Sequence, residues 1–363
     1  MSGWLDVGAA PPRGPPPNNV VDFMVTTIPG LEDIVLEEAR EKIDILGAEL
    51  RFGGVGGRVL LRVPTNQHNR VFMLRSIEHI IELIGTFGVK GDRSGLDQIY
   101  NGVLNLDIPL GSTFRVTCER VGSHDYTSID VQRVAGQALV DKYGRKVDLR
   151  KPETIVRVDV AHNLCIVGIQ KTRTSLRIRH PRVFQHYSAL NPVIAYAMLR
   201  IAGVRSGDRI LDPFCGGGTI IIEAAQAWNN LELIGIDISP KSIEGARMNA
   251  EAAGVKDKVK FIIGDARRLE IVLPEGWRTD RVVSNLPFGI RSGRLKVIPA
   301  IYTDFLRSLR RFLSEDSRVC LLTIHRDLIE KIAGELCYKV IGSRWIMQGE
   351  LKTWIILLSP SIE

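Results

Sequence analysis

The sequence predicts an α/β protein in which a doubly wound parallel sheet, closed by an antiparallel hairpin, follows an α+β region. Three observations predict it. From Arg209 onward, short apolar β-branched runs alternate with helix-forming segments. A glycine-rich turn, Asp212-Pro213-Phe214-Cys215-Gly216-Gly217-Gly218-Thr219, joins the first of those strands to its helix. The last two apolar segments, Tyr338 to Gln348 and Leu351 to Leu358, meet at Gly349-Glu350, a hairpin turn.

The elements follow in chain order. Residues 1–19 are rich in Pro, Gly and Ala and read as a flexible tail without a basic-then-apolar signal pattern. Val20 to Thr27 is a strand, and Leu31 to Ile43 is an amphipathic helix with Leu31, Ile34, Val35 and Ala39 on one face. Glu49 to Phe52 and Arg58 to Val63 flank Gly53-Gly54-Val55-Gly56-Gly57. That run reads as a hairpin because no Gly-Lys-Ser/Thr follows it, as a phosphate loop would require. Val71, Leu74, Ile77, Ile80, Ile81 and Ile84 recur at helical spacing and predict a second helix from Asn66 to Gly85. This β-α-β-α alternation over residues 20–87 resembles the ferredoxin-like class.

From Thr113 the pattern renews. Phe114 to Thr117 is a strand, and Ser128 to Lys142 a helix capped by Ser128 with Ile129, Val134, Ala138 and Leu139 inward. Thr154 to Val160 and Leu164 to Gln170 pair across Ala161-His162-Asn163. Lys171, Arg173, Arg177, Arg179, His180 and Arg182 then form a basic run with no acid among them. It suits either phosphate contacts or a solvated linker.

In the last half, Ala189 to Ala202 is a helix ended by Gly203. Strands are expected at 209–211, 233–238, 259–263, 281–284 and 318–324. Ser239 caps a helix that Pro240 opens, and further helices fall at 300–313 and 327–336.

Chemistry-bearing residues sit at the ends of those strands, where an open α/β sheet binds its ligands. The glycines at 216 and 218 let a ligand approach the main chain, and Asp212 orders the turn or faces a cationic group. Asp237 stands where an acid grips ribose hydroxyls, or it pairs with a helix terminus. Asp265 can accept from an adenine amino group, or cap the next turn. The strand at 281–284 ends in Asn285-Leu286-Pro287-Phe288, where Pro287 halts pairing. This elbow is either a plain turn or a cradle in which the Asn285 side chain and the Leu286 carbonyl hold an amino group against Phe288.

The composition is that of a globular protein, with 45% hydrophobic and 25% charged residues over 363 positions. The net charge of +7 permits a polyanionic partner without requiring one. Five cysteines without a Cys-x-x-Cys pair give no disulfide framework and no zinc site, and reduced buried thiols are expected. No apolar run reaches membrane-spanning length, so the expected location is the cytoplasm.

Two resemblances follow from these residues. Phe114-Arg115-Val116, Asp141-Lys142-Tyr143-Gly144, Val147-Asp148-Leu149 and Val158-Asp159-Val160 resemble a THUMP domain, over residues 88–180. The sheet at 181–363 resembles the class I methyltransferase fold, whose sheet ends in an antiparallel hairpin. Its Asn-Leu-Pro-Phe elbow is similar to the Asp/Asn-Pro-Pro-Tyr/Phe motif of amino-group methyltransferases, with Leu286 in place of the first Pro. Together these are similar to the tRNA guanine-N2 methyltransferases that act at position 6 of the acceptor stem.

The resemblance implies S-adenosylmethionine as cofactor, held by Asp212, Phe214, Gly216, Gly218, Thr219, Asp237, Ile238, Asp265 and Ala266. It implies transfer at Asn285, Leu286, Pro287 and Phe288, and a grip on the acceptor stem and three-prime end of tRNA; a monomer is expected. Lys171, Arg173, Arg177, Arg179 and Arg182 are its expected RNA contacts, and no metal or membrane takes part. Other readings are guanine-N2 methylation elsewhere in tRNA, such as position 10, or in ribosomal RNA. Small-molecule methylation and a catalytically silent RNA-binding protein complete the set.

Overall fold

A computed structural model describes residues 19–179, 183–184, 189–289 and 295–361. The chain falls into two compact units, residues 1–176 and 177–363.

In the first unit the elements run β1 (Val20–Thr26), α1 (Glu32–Lys42), β2 (Gly47–Leu50), β3 (Arg58–Pro64), β4 (His79–Gly88) and α2 (Ser94–Asn105). They continue with β5 (Thr113–Thr117), β6 (Arg120–Val121), α3 (Ser128–Tyr143), β7 (Lys146–Val147), β8 (Thr154–Ala161) and β9 (Leu164–Gln170). Nearly all the strands line up in the order β2-β3-β1-β4-β9-β8-β5-β7, with β6 beside β8. One sheet therefore spans both of the amino-terminal pieces expected from the sequence.

Three sequence expectations fail here. The helix expected from Asn66 to Gly85 is absent: Thr65–Met73 is a 3-10 helix, and His79–Gly88 is β4, antiparallel to both β1 and β9. Ile80 and Ile81 face opposite sides of the sheet, into two different cores. A stretch that is apolar on both faces fits a helical template by chance, and its β-branched residues favour the strand. Helix α2 was not expected. In α3 the cap is Thr127, not Ser128, in a capping box with Asp130. Ile129 is exposed, and Val131 and Ala135 lie inward beside Ala138 and Leu139.

The second unit runs α4 (Pro192–Ile201), β10 (Arg209–Asp212), α5 (Thr219–Ala227), β11 (Glu232–Asp237), α6 (Pro240–Ala252), β12 (Lys260–Ile263) and the single turn α7 (Leu269–Val272). After it come β13 (Thr279–Asn285), α8 (Ile298–Leu309), β14 (Leu313–Thr323), α9 (Arg326–Glu335), β15 (Tyr338–Gln348) and β16 (Leu351–Pro360). The strand order is β12-β11-β10-β13-β14-β16-β15. The first five strands are parallel and β16 runs antiparallel to its neighbours, as the resemblance implied.

The core between this sheet and α8 and α9 includes Leu211, Val282, Leu321, Phe305, Ile329 and Ile356, all fully buried. Each fully buried side chain of this size contributes roughly 1.5–3 kcal/mol of transfer free energy. Of the cysteines, Cys165, Cys215 and Cys320 are buried, while Cys118 and Cys337 are only partly so, and all are free thiols. Among the described residues no helix is long and apolar enough to cross a membrane.

Candidate active site at the strand ends

Chain order reverses between β10 and β13. From β10 the sheet continues to β11 and β12 on one side and, through β13, to β14 on the other. The crevice beyond such a reversal is where open α/β sheets bind ligands. The four neighbouring strands end in Asp212, Asp237, Ile263 and Asn285, so the predicted groups form one row along one edge of the sheet.

Asp212 is buried within the row, between Asp237 and Asn285. Its Oδ1 accepts from Ser284 Oγ at 2.6 Å and from the Phe214 N–H at 3.2 Å. Burial pushes its carboxyl up to about 7, against those two hydrogen bonds, with the charge of Asp237 adding to the rise. Ser284 immediately precedes the elbow, so the glycine turn and the elbow share a buried hydrogen bond.

The turn is also tied to β11. Asp237 accepts from the Gly216 N–H at 3.0 Å and from the Ser239 N–H at 2.8 Å, while the Cys215 N–H donates to the Ile236 carbonyl at 2.8 Å. Each carboxylate oxygen keeps a second acceptor site. Ile238 beside it is 65% exposed, open to an apolar ligand face. Gly216 and Gly218 have φ of 50° and 83°, the left-handed region that glycine enters without strain. A Cβ on Gly218 would lie 2.9 Å from the Phe261 ring and 3.2 Å from Ala246. Thr219 opens α5 directly behind Gly218, and Phe214 packs edge-on against Phe305 at 5.1 Å.

Asp265 accepts from the Arg267 N–H at 3.0 Å and takes the Arg267 guanidinium at 2.6 Å. These bonds to Arg267 hold its carboxyl below the usual range, against the opposing effect of partial burial. This is the capping role that the sequence left open. Ala266 lies in the core behind it.

At the elbow, Asn285 closes β13 opposite Leu322, and the Leu286 N–H donates to the Leu322 carbonyl at 3.0 Å. The next two carbonyls are tied down. Tyr302 Oη donates to the Pro287 carbonyl at 2.9 Å and lies 3.1 Å from Thr323 Oγ1, while His325 Nε2 lies 2.9 Å from the Phe288 carbonyl. A carbonyl only accepts, so that ring nitrogen carries the proton. Asn285 Oδ1 is buried and, among the described residues, has no hydrogen-bond partner. An orphaned buried acceptor is rare in a folded protein, because leaving one unpaired costs roughly 1–3 kcal/mol.

Sequence reasoning missed Ser284, Tyr302 and His325. Their roles arise from contacts across 72, 15 and 37 residues, and no local motif encodes them.

The basic run is divided. Lys171 pairs with Glu82 at 2.9 Å and Arg173 donates to the Pro152 carbonyl at 3.3 Å, both in the first unit. In the second unit Arg179 is turned inward onto the fully buried Glu223 of α5, which corrects its expected RNA contact: burial of that carboxylate demands a cation. Arg177 lies in the same unit, and Arg182, like His180, falls outside the described residues.

With this geometry in hand, comparison with known proteins is specific. Residues 179–353 match the RMKL-like methyltransferase domain family, and residues 93–170 match the THUMP domain. The chain is 31% identical to a tRNA (guanine(6)-N2)-methyltransferase of Archaeoglobus fulgidus, over 93% of this chain and 92% of that protein. It is 36% identical to a protein of the same name from Thermus thermophilus, over 84% and 90% of the two chains. The crystal structure of TrmN from Thermus thermophilus superposes with a TM-score of 0.81 at 32% identity, covering 94% of this chain and 99% of that one. A THUMP domain followed by a methyltransferase domain, in a chain alike over nearly full length, places the chain in the THUMP-containing tRNA guanine-N2-methyltransferase family.

Proposed function

We propose that this protein transfers a methyl group from S-adenosylmethionine to N2 of a guanine in tRNA, at position 6 of the acceptor stem. The observation that carries the reading is the buried, unpartnered Oδ1 of Asn285 at the end of β13, in a chain of this family. An acceptor kept dry and unpaired there is suited to a donor that arrives with the substrate.

The row of strand ends fits the cofactor. Gly216 and Gly218 present bare main chain, Asp237 retains acceptor sites for ribose hydroxyls, and Asp212 is an acid that a nearby cation would ionise. Phe214, Thr219, Ile238, Asp265 and Ala266 complete the proposed cofactor set. When bound, the cofactor supplies an electrophilic methyl group on a sulfonium centre.

The chain's own residues then prepare the amine. The exocyclic nitrogen of guanine is a poor nucleophile because its lone pair is spread into the ring. Asn285 Oδ1 accepts from one N2 hydrogen and the Leu286 carbonyl from the other, which draws the lone pair out of conjugation and toward the methyl. Phe288 stacks the base after it is flipped from its helix, and Pro287 stiffens the elbow. Tyr302 and His325, through the carbonyls of Pro287 and Phe288, hold it in register. The proton becomes acidic only as the new C–N bond forms, and it leaves through Asn285 or to water, so no strong general base is required.

Lys171, Arg173, Arg177 and Arg182 are proposed to meet RNA phosphates, with Arg179 reserved for Glu223. Incubating the full chain with labelled S-adenosylmethionine and unmodified total tRNA tests the reading. The expected product is N2-methylguanosine at position 6. Label at another position or base would reassign the target, and no label at all would leave an RNA-binding protein.

A further inference from the structure

We infer that the tip of the closing hairpin is an RNA-stacking platform, which takes the nucleotide next to the methylated guanine between two tryptophans and two cations. This rests on the proposed RNA methyl transfer and adds a contact surface to it.

Trp345 of β15 and Trp354 of β16 are direct cross-strand partners, so both indoles stand on one face of the hairpin. Lys352 Nζ lies 5.4 Å from the Trp345 ring centre and 5.3 Å from that of Trp354, and the Arg326 guanidinium lies 4.5 Å over Trp354. Trp345 is 45% exposed, and Leu351 at the tip is 43% exposed.

Placement gives this cluster its meaning. Trp354 pairs with Thr323, the last residue of β14, so β16 and β15 run on past the end of the sheet on the side where the elbow lies. Thr323 bonds Tyr302, which holds the Pro287 carbonyl. His325 reaches the Phe288 carbonyl, and its neighbour Arg326 covers Trp354. Two bonded connections thus run from the elbow to the indoles.

Structural cation–π pairing alone would be satisfied with the rings buried beneath their cations, yet Trp345 keeps nearly half its surface in water. Interleaved aromatic rings and cations are the chemistry that holds an unpaired base and its phosphate, and stacking tolerates any base. Arg326 is itself paired with Glu330 at 2.6 Å, so Lys352 carries the net charge of the patch, and a second copy of the chain facing the same patch would set Lys352 against its own counterpart. The charge therefore favours a polyanion.

The test compares full-length wild type with Trp345→Ala, Trp345→Phe and Lys352→Ala. Steady-state transfer to unmodified tRNA should show KM for tRNA raised about tenfold in Trp345→Ala, with cofactor affinity and thermal midpoint unchanged. Trp345→Phe should restore most of that loss. Lys352→Ala should lower the slope of log affinity against log salt by about 1. An unchanged KM in Trp345→Ala, or a rise accompanied by lost cofactor affinity, overturns the platform while leaving the methyltransferase reading standing. If wild type transfers no methyl to tRNA, that reading fails on its own account. The platform is then judged by direct tRNA binding, where equal affinity for wild type and Trp345→Ala overturns it.

Discussion

Burial that lifts the Asp212 carboxyl from 3.8 to about 7 makes folding take up a proton there. Between those two values the native state holds the proton and the unfolded chain does not, so stability falls as pH rises across the window. Urea midpoints should therefore drop from pH 5 to pH 8 by more in wild type than in Asp212→Asn, which carries no titrating group. Equal pH dependence in the two would remove the raised acid. A cationic cofactor works in the opposite sense by favouring the carboxylate, so its affinity should climb through neutrality and flatten in Asp212→Asn. Asp237→Ala removes the acceptor of the Gly216 and Ser239 N–H groups together with the proposed ribose grip. Calorimetry should show cofactor affinity reduced at least tenfold, and an unchanged value would retire the assignment. The acidic residues were legible because each follows a strand at a fixed place. Their hydrogen-bond partners were not: Ser284 is an ordinary serine until the fold carries it to Asp212.

Among the elements, those of the second unit were readable almost throughout, because strands buried on both faces and a helix opened by Pro240 leave unambiguous marks, although α4 begins at Pro192 behind an Asn191 cap and not at Ala189. The first unit was harder. Strand β4 lies between β1 and β9 and is apolar on both faces, and nothing local separates such a run from a helix. The elbow depends on elements distant in sequence. Tyr302→Phe deletes the hydroxyl that holds the Pro287 carbonyl and bonds Thr323. It should cost about 1 kcal/mol of stability and slow methyl transfer, while calorimetry finds cofactor affinity kept. Gly218→Ala sets a Cβ at φ of 83° and 2.9 Å from Phe261. Thermal unfolding should show a loss of roughly 1–3 kcal/mol.

Across the whole molecule, two compact units divide the work that the proposal requires. The first carries the THUMP match and the second the methyltransferase match. The division at 176/177 falls within a basic stretch of the sequence. Phosphate contacts of the kind proposed make tRNA affinity an electrostatic quantity. Filter binding between 50 and 200 mM salt should give a linear loss in log affinity, with a slope of about −0.9 for each duplex phosphate neutralised. A flat line would place recognition outside the cationic residues. The central claim concerns one atom at the edge of the second unit: the buried, unpaired Oδ1 of Asn285 is an acceptor kept for the guanine amine. Single-turnover methyl transfer to unmodified tRNA at saturating cofactor, on Asn285→Ala whose cofactor affinity has been measured on the same sample, tests it most directly. The account predicts a rate lower by a factor of roughly 100–1,000 at unchanged cofactor affinity. An unimpaired rate, or a loss of cofactor binding equal to the loss of rate, would contradict it.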